Sequence, residues 1–148
     1  MQGLFRNITG LVALVLLVTS CGKITPYRND DTNSTFSEDE SHEFGENCMN
    51  CHYSAGKGEG WFTLAGSVSG NTDNAVIELY NNFGESPVKT IEVDTKGNFY
   101  TTDAIDFTNG YNVAIKNSAG EMTYMGGRIE VGQCNLCHGA TTGSLSIN

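Results

Sequence analysis

The sequence predicts a mainly β protein: a seven-stranded β-sandwich of Ig-like character, flanked by two Cys-x-x-Cys-His segments. Three observations carry this expectation. Between residues 61 and 131, short runs rich in β-branched and aromatic residues recur at strand-like spacing. Turn-forming Asn, Asp and Gly residues separate the runs. No amphipathic helical period competes with them, beyond a turn or two at each cysteine motif.

Trp61-Phe62-Thr63-Leu64 begins an extended run that continues to Val68. Asn71 to Asn74 is turn-like, and Val76-Ile77-Glu78-Leu79-Tyr80 reads as a core strand. Asn81-Asn82-Phe83-Gly84 turns the chain, after which Val88, Thr90 and Glu92 alternate against Lys89, Ile91 and Val93. Asp94-Thr95-Lys96-Gly97 is expected to be a hairpin turn, because its glycine accepts the positive φ such turns need. Phe99 to Thr102, Tyr111 to Lys116, Glu121 to Met125 and Arg128 to Val131 complete the series.

The flanks of this region differ in composition. Residues 1–20 read as a secretory signal peptide: Arg6 is the only charge, and Ile8 to Val18 is an apolar run too short for a comfortable membrane span. Val18-Thr19-Ser20-Cys21 resembles the lipobox of bacterial lipoproteins, which implies cleavage before Cys21 and acylation of that cysteine. More than one acyl chain would make the attachment stable. Gly22, where an aspartate would suggest retention at the inner membrane, points to the outer membrane. Residues 21–43 are then the lipidated N-terminus and an acidic tether, too poor in aliphatic residues to offset the entropy of ordering. Residues 44–60 and 132–148 hold the two cysteine motifs on either side of the 61–131 sandwich. The formal net charge of −9 repels nucleic acid and anionic membrane surfaces, so a nucleic-acid partner is excluded from the working hypotheses.

Within the β region, Gly66-Ser67-Val68, Asp94 to Phe99 and Gly110-Tyr111-Asn112 fall in a known pattern. They resemble the carboxypeptidase regulatory-like, or transthyretin-like, β-sandwich, over about half of the chain. The resemblance implies a fold with Phe99 and Tyr111 as core aromatics, and it implies no catalysis.

The chemistry resides in Cys48-Met49-Asn50-Cys51-His52 and Cys134-Asn135-Leu136-Cys137-His138. A short helical turn with this spacing presents two thiols to the vinyl groups of one haem and delivers an imidazole to its iron from the same side. The two motifs use four of the five cysteines and two of the three histidines, and the lipobox uses the remaining cysteine. Disulfide pairing is common after export, but it gives no reason for a histidine directly after each pair. A four-cysteine zinc site leaves the same histidines unexplained, and a thioredoxin-like pair would want a βαβ setting. The expectation is therefore two covalently bound c-type haems, with His52 and His138 as iron ligands.

The opposite iron ligands are less determined. His42, six residues before Cys48, either folds over the first haem, ligates a haem in a neighbouring molecule, or is an exposed linker residue beside Glu40 and Glu43. Met49, inside its motif, faces the wrong way to serve its own haem. For the second haem the choices are Met122 and Met125, which strand alternation places on opposite sides. A Cys-x-x-Cys-His motif, a transthyretin-like sandwich, a methionine, a Gly-rich link and a second motif together resemble small exported dihaem cytochromes of metal- and sulfur-metabolising bacteria. In that pattern the methionine stands shortly before the second motif, so Met125-Gly126-Gly127 is the match and Met125 the implied ligand. A thioether ligand raises a haem's potential, which would make the two sites unequal. Phe44, Tyr53, Trp61 and Phe62 cluster in sequence around the first motif, and Tyr124, Ile129, Val131, Leu136, Leu145 and Ile147 around the second. Trp61 is expected at a haem wall, with Phe62 and Val131 in the sandwich core.

These residues imply electron transfer between redox partners at the cell envelope, on the periplasmic or extracellular face, with other redox proteins or cytochromes as partners. An enzymatic alternative, a haem peroxidase or small-molecule reductase, needs the first iron to keep an open position. A surface binding or adhesion module is the reading from the sandwich alone. An odd number of strands favours motifs at opposite ends of the sandwich, about 17–20 Å apart, and with it end-to-end self-assembly; if the ends fold together instead, one chain could relay electrons alone.

Overall fold

The computed structural model describes residues 32–147. The signal peptide, Cys21 and the start of the tether lie outside the described residues. Within them the chain is mainly β, and no described helix is long and apolar enough to cross a membrane. The strands are β1 (Leu64–Ser67), β2 (Ser69–Gly70), β3 (Val76–Tyr80), β4 (Lys89–Glu92), β5 (Asn98–Thr101), β6 (Asn112–Lys116), β7 (Met122–Tyr124) and β8 (Ser146–Ile147). One helical turn, α1 (Cys134–Cys137), lies between β7 and β8, and 3₁₀ turns occupy Cys48–Asn50 and Phe107–Asn109.

β4, β3, β6 and β7 form one antiparallel sheet in that order. In β3 the period of two sends Ile77 and Leu79 inward, with Ile77 opposite both Ile91 and Ile115. β1 and β5 form a second, antiparallel sheet, and β2 pairs in parallel with β8. The main core lies between these layers: Leu64, Val68, Ile77, Leu79, Ile91, Val93, Phe99, Ile115 and Ile147 are all buried there. Phe99 is a core aromatic at 1% exposure, and Tyr111 packs against the same cluster while half-buried. Phe99→Ala should cost about 3–5 kcal/mol by emptying the centre of this core. A lowered urea midpoint at unchanged slope would register the loss.

The strand pattern departs from the sequence expectation in three places. Asp94 to Gly97 does not close a hairpin between neighbours; it carries the chain from β4 in one sheet to β5 in the other. The Asp94 carboxylate accepts the N–H groups of Lys96 and Asn98, both at 2.9 Å, and so redirects the backbone. Gly97 has φ +82°, and a Cβ there would meet the Val68 carbonyl oxygen at 2.5 Å. Arg128 to Val131 is not a strand; it contributes one antiparallel bridge, Tyr111 to Ile129, before turning away. β2 and β8 are added instead, so the described residues hold eight strands rather than the expected seven. Two-residue strands have too little pattern to read from sequence.

Every residue of β1 and β5 is buried, although only one face of this pair meets the main core. Phe62, Ala65 and Tyr100 form a small cluster on the outer face, with Cys48 and Met49 packed on it. The open edge of β5 is covered by residues 32–41, which the sequence assigned to the flexible tether. Ser34 exchanges bonds with Tyr100, its N–H donating to the carbonyl and its hydroxyl accepting from the amide, each at 3.0 Å. Thr102 N–H donates to Thr32 O at 3.0 Å, and Thr95 N–H to Glu38 O at 3.1 Å. This strap is held by backbone and hydroxyl bonding to a sheet edge, not by apolar burial, which is why composition gave no sign of it.

On the outer face of the four-stranded sheet, Glu78 is buried, accepts from the Tyr80 hydroxyl and pairs with Lys116 at 3.3 Å. Burial and this carboxylate push the Tyr80 hydroxyl up to about 12. The folded state therefore holds its phenolic proton where the unfolded chain releases it, and stability falls as pH rises from about 10 to about 12. Tyr80→Phe should flatten that part of the alkaline slope, measured as urea midpoint against pH.

Candidate functional site

At the first motif, the Asn47 side chain accepts from Met49 N–H at 3.2 Å and starts the 3₁₀ turn. His52 N–H closes the turn on Cys48 O at 3.0 Å, so thiol and imidazole emerge one turn apart. The chain then folds back: Gly58 N–H donates to Cys51 O at 3.0 Å, and the carbonyl of Glu59 lies 2.7 Å from His52 Nδ1. Gly58 lies flat against the imidazole, and a Cβ there would come within 2.5 Å of Nδ1. On its other side the His52 ring stacks on Phe62 at 4.3 Å and 9°, and Phe62 stacks on Tyr100 at 4.6 Å and 19°. The Tyr100 hydroxyl donates to the Glu38 carboxylate, and burial with that bond raises its pKa.

The second motif repeats this geometry on α1. His138 N–H closes on Cys134 O at 3.0 Å, and His138 Nδ1 lies 3.0 Å from the carbonyl of Gly143. In both motifs Nδ1 thus lies within hydrogen-bond distance of a backbone carbonyl, and the Thr142 hydroxyl stands 3.2 Å from His138 Nδ1 as well. Histidines that bind metals are held in this way.

Each motif opens on a cavity of its own, and each cavity holds one of the expected opposite ligands. The first, about 830 Å³, is lined by Cys48, Cys51 and His52 together with His42. The His42 and His52 ring centres are 5.7 Å apart. The second cavity, about 460 Å³, is lined by Cys134, Cys137 and His138 together with Met125. Both volumes lie in the range of about 300–1,000 Å³ common to small-molecule and cofactor sites. Met122 is elsewhere: its sulfur lies 3.2 Å from the Tyr124 hydroxyl, on the strand face opposite the one that leads to Met125. Two cysteines, their histidine and one further candidate ligand, His42 or Met125, around a cofactor-sized space are residues that fit a covalent haem at each motif.

The walls were only partly anticipated. Phe62 is buried in the smaller core cluster, as expected of a core residue, and also lines the first cavity and stacks on its histidine. Trp61, Phe44 and Tyr53 do not line that cavity, and the latter two are about half exposed. Tyr124, Ile129, Val131 and Leu145 line the second cavity. Val131 is 56% exposed at its mouth, not in the core as expected. Ile147 belongs to the core, and Leu136 points outward from α1.

The two motifs do not lie at opposite ends. Ala65 in β1 pairs in parallel with Gln133, and its N–H donates to Gly132 O at 2.9 Å, which seats α1 on the free edge of that strand. The first motif covers the outer face of the same strand pair, and Asn47 Nδ2 donates to Gln133 Oε1 at 3.1 Å. Strand parity failed as a guide because the chain crosses between sheets at Asp94 and returns to β1 after the last hairpin.

The thiols also speak to the alternatives. Burial raises Cys48, and it pushes Cys134 up to about 12 with the nearby Cys48 adding to the effect. A thiol–disulfide catalyst needs its attacking cysteine lowered. Among the described residues no three His, Cys, Asp or Glu side chains gather as a metal site, so the four cysteines are not brought together as a zinc centre requires. The sequence reading missed Gly58, the carbonyls of Glu59 and Gly143, and the Asn47, Gln133 and Asn135 amides. Only the glycine-dense stretch from Gly56 to Gly60 hinted at a backbone that must approach something closely. No family model matches the chain, and no curated protein or solved structure matches it.

Proposed function

We propose that the chain is a dihaem c-type cytochrome that transfers electrons between redox partners at the cell envelope. The observation that carries this is the paired histidine geometry: in both motifs Nδ1 meets a backbone carbonyl, and the histidine lines a cavity together with its two cysteines. Covalent haem would supply one-electron chemistry at each site. The chain's own part is to hold His52 and His138 by Nδ1 against backbone carbonyls, to line the cavities with His42 and Met125, and to wall off the second with apolar side chains.

His42 in the first cavity supports a closed electron-carrying site over a peroxidase or reductase, which would keep that position open. Motifs held side by side support a relay within one chain over end-to-end self-assembly. Export by residues 1–20 and acylation of Cys21 would place the carrier at the envelope, facing other redox proteins or cytochromes. Mature protein from a host with haem-attachment machinery is expected to show two haems per chain in the pyridine haemochrome assay. Its intact mass should carry the same two haems plus acyl groups on Cys21. A chain exported intact without covalent haem would sink the proposal.

A further inference from the structure

The two haem-attachment motifs are joined by a side chain that haem attachment itself does not require. Asn135 occupies a variable position of the second motif, where no thiol or imidazole is needed, yet it is 6% exposed and both polar atoms of its side chain are used. Its Oδ1 accepts from Ser67 N–H in β1 at 3.0 Å. Its Nδ2 donates to the Ser67 hydroxyl oxygen at 3.1 Å and to the carbonyl of Glu46 at 3.0 Å, two residues before Cys48. Ser67 Oγ also accepts from Gly45 N–H at 2.9 Å and donates to Asn98 Oδ1 at 2.7 Å. One amide thus ties α1 to β1 and to the approach of the first motif, and the Asn47–Gln133 bond repeats the link nearer the surface.

We propose that Asn135 is a positioning residue: it clasps the two motifs so that the two haem pockets keep a fixed separation within one chain and the haems interact as a pair. The physical warrant is the cost of breaking it. Removing a buried amide leaves the Ser67 N–H and the Glu46 carbonyl without partners, which opens a local structure roughly tenfold or more in equilibrium. The proposal rests on the dihaem reading, which fixes the order of the measurements.

The test uses holoprotein of the wild type, Asn135→Ala, Gln133→Ala and the double variant. Gln133→Ala removes the outer link alone, since the Gln133 side chain caps nothing on α1 and Asn47 keeps its own turn. Haem is counted first. With two haems present in every variant, the magnetic interaction between the two ferric irons is read by electron paramagnetic resonance, and the spacing of the two midpoint potentials by redox titration. Asn135→Ala should weaken the interaction while each haem keeps its own axial-ligand spectrum. The double variant should lose more than the two single losses combined, because both links join the same segments. An interaction unchanged in the double variant would overturn the clasp while leaving the dihaem reading intact. Were the wild type to carry no haem, the dihaem reading would fall, and amide exchange would judge the clasp alone. In that arm, Asn135→Ala should speed exchange at Ser67, His52 and His138 together by roughly tenfold or more. Faster exchange at only one of the two motifs would overturn it.

Discussion

Replacing Cys134 and Cys137 together by serine is expected to leave a folded protein with one covalent haem instead of two. Serine hydroxyls do not add to haem vinyl groups under the conditions in which thiols do, so the covalent bonds at the second motif are lost outright. The fold should survive. Cys137 is exposed, and Cys134 sits at the rim of the main core, not within it. A Cys→Ser exchange there changes little volume, and the hydroxyl introduced by Cys134→Ser is placed to donate to the Gly132 carbonyl that the Cys134 sulfur already approaches at 3.8 Å. Cys48→Ser with Cys51→Ser should remove the other haem, and all four replacements should remove both. Intact mass resolves the three states. A quadruple variant that still carried covalent haem would refute the assignment of the motifs.

Met125→His should lower the midpoint potential of the second haem while leaving the first where it was. Axial-ligand identity sets haem potentials over roughly 0.8 V, and a thioether favours the reduced iron where a second imidazole does not. The change should be a sizeable part of that range, because every other lining group of the cavity stays in place. Met125→Leu should instead open the position and turn the second haem high-spin. Met122→Leu should be silent in both measurements, since Met122 does not line the cavity that Met125 does. Redox titration followed in the visible spectrum reads all three. If Met122→Leu and not Met125→Leu changed the spin state, β7 would have to present its opposite face to the cavity.

The cysteine and histidine motifs and most strands were legible in the sequence because they are local patterns. β3 was read to the residue, since Val76 to Tyr80 is a mostly apolar, strand-prone run between firm turns. Met122 and Met125 were separable because strand alternation is a local rule. What was not legible depends on pairing between distant segments. Val131 looks like a core residue in its run, but Ile129 ends the pairing with Tyr111 and the chain then turns toward the second cavity. The strap along β5 has none of the apolar content by which order is normally recognised, and its stability comes from an open strand edge 66 residues away. Motif proximity stayed open between two arrangements because counting strands says nothing when one turn, at Asp94, moves the chain from sheet to sheet.

Were Cys21 acylated, as proposed, the strap would also set how far the folded body could stray from that anchor. The span available for a leash is then not the full stretch to residue 43. It ends where Thr32 bonds to Thr102. Those eleven residue steps reach at most about 36–40 Å when fully extended. The attachment point lies on the β5 edge, beside the Tyr100–Phe62–His52 stack. A redox partner in the same membrane would therefore find the first cavity close to the lipid surface, and lengthening the leash by inserted Gly-Ser repeats after Cys21 would loosen that delivery without touching either site.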